Sequence, residues 1–186
     1  MAWTTPLTAV TNAILTTAQW NASVRDNLNI TATALATTPG AGTGKWFASD
    51  ATNSIKERIV QTATVAASET LGTAGSYLSI TTNGPILSTV TTGIAALVIV
   101  SASCANSTAN ADNFACAEVT GATTMVAADA RALRYEQYTL GATLLNRSSV
   151  SNLLSLTAGA NTFRVLYKVS AITGTFVDRN LIVMPF

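Results

Sequence analysis

Three carboxylates stand beside arginines in this chain: Asp129 before Arg131, Glu136 after Arg134, and Asp178 before Arg179. Two acids set about 5 to 10 Å apart would suit glycosidic hydrolysis, one as proton donor and the other as base or nucleophile. A neighbouring guanidinium works against that role, because it keeps a carboxyl ionised. These residues read better as ion pairs. Gly40-Ala-Gly-Thr-Gly-Lys45 has the look of a phosphate loop, but the spacing is one residue short. Trp46 also stands where a hydroxyl should hold magnesium, and no strand-like apolar run precedes the loop. Ser54-Ile-Lys56 falls one residue short of the Ser-x-x-Lys pair of penicillin-binding proteins. The chain has no histidine, so no step can use its own imidazole as base or ligand. Two cysteines alone make no metal site. The expectation is a protein that is not an enzyme and holds neither metal nor cofactor.

Cys104 and Cys116 bracket the polar stretch from Ala105 to Ala115. If that stretch is a hairpin loop, the two thiols could meet in a disulfide. The favoured alternative is two small buried hydrophobes on neighbouring strands. Four Asn-x-Ser/Thr sequons, at Asn21, Asn29, Asn106 and Asn146, carry no weight in a chain so rich in Thr, Ser and Asn.

The elements that must position these residues are bounded by the chain as a whole. Its 186 residues suffice for one domain with an appendage. Hydrophobic residues make up 48% and charged residues only 10%, with ten basic against nine acidic side chains. Disorder is excluded by that apolar, neutral composition, and so is a basic nucleic-acid-binding face. The mean hydropathy of +0.36 does not make a membrane protein. The longest apolar run, Gly93 to Val100, is far short of the roughly 20 residues of a spanning helix. Met1 to Val10 has no basic side chain and no compact apolar core, so no secretory signal is expected and assembly in a cytoplasm is. A surface this poor in charge tends to self-associate, which hints that partners cover much of it.

The elements fall into three stretches. Residues 1–36 read as an arm with a helix over about 17–29. Thr16-Thr-Ala-Gln19 fits a capping box, and Trp20, Val24 and Leu28 form a narrow apolar stripe. So thin a helix needs something to lie against. Residues 37–55, rich in Gly and Thr around Pro39, read as a linker. From 56 to 186 the pattern turns to short β-type runs broken by turn residues, such as Asn83-Gly-Pro85 and Ala158-Gly-Ala-Asn161. Gly93–Ser103 reads as a strand buried on both faces. Met125–Thr139 fits either a strand or a helical turn. Phe163, Val165, Tyr167 and Val169 share one face of a strongly alternating strand. The fold expected is mainly β: an antiparallel β-sandwich or jelly roll behind an N-terminal arm with one short helix.

Trp3-Thr-Thr-Pro6, Leu15 to Asn21 and Val24 to Leu28 resemble the start of a family of tailed-phage virion proteins, mostly of phages that infect actinobacteria. The stretches 158–169 and 179–186 resemble the last strands of jelly rolls of the tumour-necrosis-factor and complement-head type. Together they cover under a third of the chain. The resemblance implies a homotrimer located in the virion, used as a capsid decoration or head-fibre protein. Its arm would dock on a major capsid protein or a tail protein through Trp3, Pro6, Trp20, Asn21, Val24, Arg25, Asp26, Asn27 and Leu28. The same helix residues would equally pack on their own domain; the glycine linker favours docking. The alternative is a tail fibre or minor tail protein that recognises a host cell-surface glycan. For that, the loop 105–113, rich in Asn, Asp and Ser, would be the site, although it also reads as an ordinary solvated hairpin tip. No nucleic acid or membrane partner is expected.

Overall fold

The computed structural model describes residue 16 and residues 45–51, 54–138 and 145–186. The chain divides into two units, Met1–Thr43 and Gly44–Phe186. The expected helix over 17–29 lies outside the described residues. The linker expected over 37–55 is corrected at its far end. Lys45–Ala51 is a strand, β1, paired antiparallel with β2, Ser54–Ile59. Composition conceals it, because the glycines that signal a linker stop at Gly44. Trp46 meets the Phe186 ring edge-on, with centroids 4.8 Å apart.

The remaining strands form an antiparallel jelly roll organised around one long ribbon. They are β3 (Gln61–Val65), β4 (Glu69–Leu78), β5 (Ile86–Thr92), β6 (Ala95–Asn106), β7 (Ala111–Gly121), β8 (Leu133–Gln137), β9 (Asn146–Ser155) and β10 (Gly159–Pro185). Residues 161–169 of β10 pair with β7, and residues 174–185 with β6. On its other side β10 pairs in turn with β5, β4 and β3. The three-ply ribbon rolls over at residues 106–113 and 169–174, giving two facing layers. One layer is β5, the first half of β10, β7 and β8; the other is β3, the second half of β10, β6 and β9.

Thus the stretch 105–115 is not a hairpin. β6 and β7 run on along β10, and only 107–110 connects them. The corner is held by asparagines that have the look of loop residues. Asn106 Nδ2 donates to Asn113 Oδ1 at 2.9 Å, and Asn113 Nδ2 to the Ala105 carbonyl at 2.6 Å. Both side chains are buried, so each bond replaces water that cannot reach it. Gly174 completes the corner. A methyl there would collide with Asn113 Oδ1 and lie 2.7 Å from Val169 Cγ2.

The core lies between the layers: Val98, Val100 and Cys104 from β6, Ala115 and Val119 from β7, and Phe163, Val165, Tyr167, Phe176, Leu181 and Val183 from β10. Inward positions on β10 change parity twice. They are odd through Val169, even at Gly174 and Phe176, and odd again from Arg179. The second change is a bulge between Val177 and Asn180, with Asp178 at φ 50°. Aspartate tolerates that left-handed conformation better than most residues.

The bulge turns Arg179 inward, where it is 1% exposed. It pairs with Glu69 at 3.4 Å, not with the adjacent Asp178, and lies over the Tyr167 ring. Glu69 also accepts from the Thr82 amide through both oxygens, at 2.9 and 3.0 Å. Burial alone would raise the Glu69 pKa, but the Thr82 bonds and the Arg179 charge outweigh it and hold the carboxyl below its ordinary value.

Candidate assembly surface

The two layers present very different outer faces. On the first, Arg164, Leu166 and Lys168 of β10 point outward opposite Glu118, Cys116 and Phe114 of β7. Arg164 pairs with Glu118 at 2.5 Å, Lys168 with Asp129 at 2.5 Å, and Arg134 with Asp112 at 2.8 Å. A 3₁₀ turn, Asp129–Arg131, precedes β8, so 125–139 contains both a helical turn and a strand. The segment leading into it covers Cys116, whose sulfur accepts from the Ala128 amide. Lys168 sits over the Phe114 ring at 4.5 Å and the Tyr77 ring at 5.4 Å. Tyr77 donates to Asp129 at 2.9 Å. The hydrogen bond from Lys168, then that from Tyr77, keeps Asp129 below its ordinary pKa.

The carboxylates considered for acid–base work are therefore spread out, and Asp129 and Glu136 are engaged by neighbouring side chains. The Asp129 partners are Lys168 and Tyr77, while Glu136 lies 3.6 Å from Arg134. Asp178 occupies the bulge in the other layer. The two cysteines are both free and buried, but they are not on neighbouring strands, because β10 runs between β6 and β7. Cys104 faces the core, and burial pushes its thiol up to about 12; Cys116 lies on the outer side of the opposite layer.

The outer face of the second layer is aliphatic. Its outward positions include Leu97 and Ile99 on β6, Ile182 and Met184 on β10, and Leu153 on β9, in register across three strands. Leu153 is 70% exposed and the other four are half-buried. Thr62 and Thr64 of β3 and Ser149, Ser151 and Ser155 of β9 border them. Among the described residues of these strands, the charges on this side are Arg147 and Asp178, both at the corner end, level with Ser101 and Ser103. The expectation for Gly93–Ser103 is corrected here. β6 is fully buried on one face only; along Ala95–Ser101 the other face is half-buried, and among the described residues no strand lies over it. Its second apolar set, Ala95, Leu97 and Ile99, passes for core because two alternating apolar sets look alike in sequence.

The residues expected to dock the arm (Trp3, Pro6, Trp20, Asn21, Val24, Arg25, Asp26, Asn27 and Leu28) lie outside the described residues. The loop considered for glycan binding supplies no free asparagine pair, since Asn106 and Asn113 are spent on the corner. No helix among the described residues is long and apolar enough to cross a membrane. No protein-family model matches the chain, and no curated protein matches it in sequence.

Proposed function

We propose that this chain is a structural protein of a bacteriophage particle: a trimer whose jelly rolls associate through the aliphatic face of the β3–β10–β6–β9 layer, with its N-terminal arm anchoring it to the shell as a decoration or head fibre. The observation that carries the assembly is the register of Leu97, Ile99, Ile182, Met184 and Leu153 on a face that holds no ion pair among the described residues. Covering such a face removes apolar area from water at about 25 cal/mol per Å². It also buries no charge at its centre, as interface cores generally avoid doing. The resemblance of residues 1–28 to phage virion proteins supplies the setting. Trp3 and Trp20 are the large anchors that dominate docking interfaces.

The test is cryo-electron microscopy of particles that carry the chain, combined with shell-binding assays on the full chain and on a chain lacking residues 1–36. Threefold density on the capsid and loss of binding on truncation are expected. Density confined to the tail tip would overturn the decoration role, and retained shell binding after truncation would overturn the role of the arm.

A further inference from the structure

At the corner end of the charged layer, one aromatic ring stands almost bare. Tyr138, just past the end of β8, is 75% exposed, more than any other large apolar side chain among the described residues. Its outward-facing neighbours on β8 are Arg134 and Glu136, and Asp112 on β7 is in register with Glu136. These neighbours are fixed in place. The Arg134 guanidinium is gripped in two-pronged fashion by Asp112, through Nε at 2.8 Å and Nη2 at 3.1 Å. On its other side lies Glu136 at 3.6 Å. The arginine and Glu136 remain open to solvent, with side chains 58% and 30% exposed.

We propose that Tyr138, Arg134, Glu136 and Asp112 form a binding site for a neutral saccharide. A sugar ring offers a C–H face, which a bare aromatic ring accepts by stacking and apolar contact. Its hydroxyls both donate and accept, matching carboxylates beside a guanidinium fork. Because Asp112 and Glu136 already orient the arginine, little side-chain freedom is lost on binding. Two acids against one base leave the site net negative, which disfavours phosphate, sulfate and nucleic acid. A protein interface would place an apolar core around the tyrosine, whereas the outward residues beside it, Glu136 and Asp112, are acidic side chains. The site lies on the opposite layer from the aliphatic face, so both could be occupied together, and the inference is independent of the particle reading.

The experiment uses the full chain and saturation-transfer NMR, followed by calorimetry. The probes are neutral oligomers of glucose, mannose, galactose and N-acetylglucosamine, with a sulfated oligosaccharide for comparison. At least one neutral oligomer should bind. Tyr138→Ala should weaken it about tenfold or more, while Tyr138→Phe keeps most of the affinity and Glu136→Gln weakens it. The proposal is overturned if no neutral oligomer binds, if only the sulfated probe does, or if Tyr138→Ala binds as tightly as the parent. Because Tyr138 is exposed, the alanine variant should unfold at the parent's temperature. Should it not, the Tyr138→Phe and Glu136→Gln results decide the question.

Discussion

The two outer faces of the sandwich are each built from four strands, and both use β10, yet they solve the problem of exposure differently. The β5–β10–β7–β8 face is finished within one chain. Its apolar residues, Cys116, Leu166 and Phe114, are roofed by the segment before β8 and fringed by Arg164–Glu118, Lys168–Asp129 and Arg134–Asp112. Among the described residues, the β3–β10–β6–β9 face has neither roof nor ion pairs; Leu97, Ile99, Ile182, Met184 and Leu153 stand there edged by hydroxyls, with Arg147 and Asp178 at the corner end. Such a low overall charge therefore does not mean a uniformly bland surface. Charge is concentrated on the face that meets water and thinned on the face we propose to meet other copies.

The largest test of this contrast is to charge the bare face. Ile182→Asp or Leu97→Asp would set like charges against each other around the threefold axis of the proposed trimer, weakening association by about a hundredfold or more. Sedimentation should then shift from three times 19.2 kDa to the monomer, with the β circular dichroism spectrum unchanged. If the parent is already monomeric at micromolar concentration, the contrast between the faces has another cause.

The interior pair comes next, since it serves both layers. Glu69→Gln leaves Arg179 buried without its counter-charge and should cost about 3 kcal/mol in denaturant unfolding. The sign of the pH effect follows from the lowered Glu69 pKa. Its contribution is complete above pH 4.5, the ordinary value, and disappears as pH falls through the folded value. The variant should therefore lose that part of the acid dependence. At the corner joining the two faces, Gly174→Ala should cost about 2 kcal/mol, because Asn113 and Val169 must move. A variant as stable as the parent would show that the corner is loosely held.

The smallest effect is expected on the charged face. Arg164→Ala should change stability by at most about 1 kcal/mol, because the guanidinium is 35% exposed and screened. It should also leave the oligomeric state untouched. Were it to dissociate the oligomer, the roles of the two faces would be reversed.

The alternation of Phe163, Val165, Tyr167 and Val169 announces a strand and its inner face correctly in the sequence, because that stretch lies ahead of both parity changes. The second of these changes is invisible locally: nothing around Asp178 marks a bulge, and the ion pair of Arg179 reaches Glu69, 110 residues away in sequence. Asn106 and Asn113 are polar residues in a polar stretch, and only tertiary contact separates a corner staple from a solvated loop. The aliphatic face is legible only as a shortage of charge. Leu97, Ile99, Ile182 and Met184 have the apolar character of core residues, and sequence does not say which of two apolar sets faces inward.

The rolled ribbon also dictates when this fold can come into being. β10 is the shared partner of β3, β4, β5, β6 and β7. Until residues 159–185 emerge from the ribosome, the pairings available in the roll are β7 with β8 and β6 with β9. Two-stranded pieces of that kind are barely stable in water. β3, β4 and β5 must therefore wait unpaired, with one edge of the apolar β6 open, and then close through contacts distant in sequence, a slow and aggregation-exposed route. Yield in a host cell should accordingly depend more on synthesis rate and chaperone supply than on the stability of the finished roll.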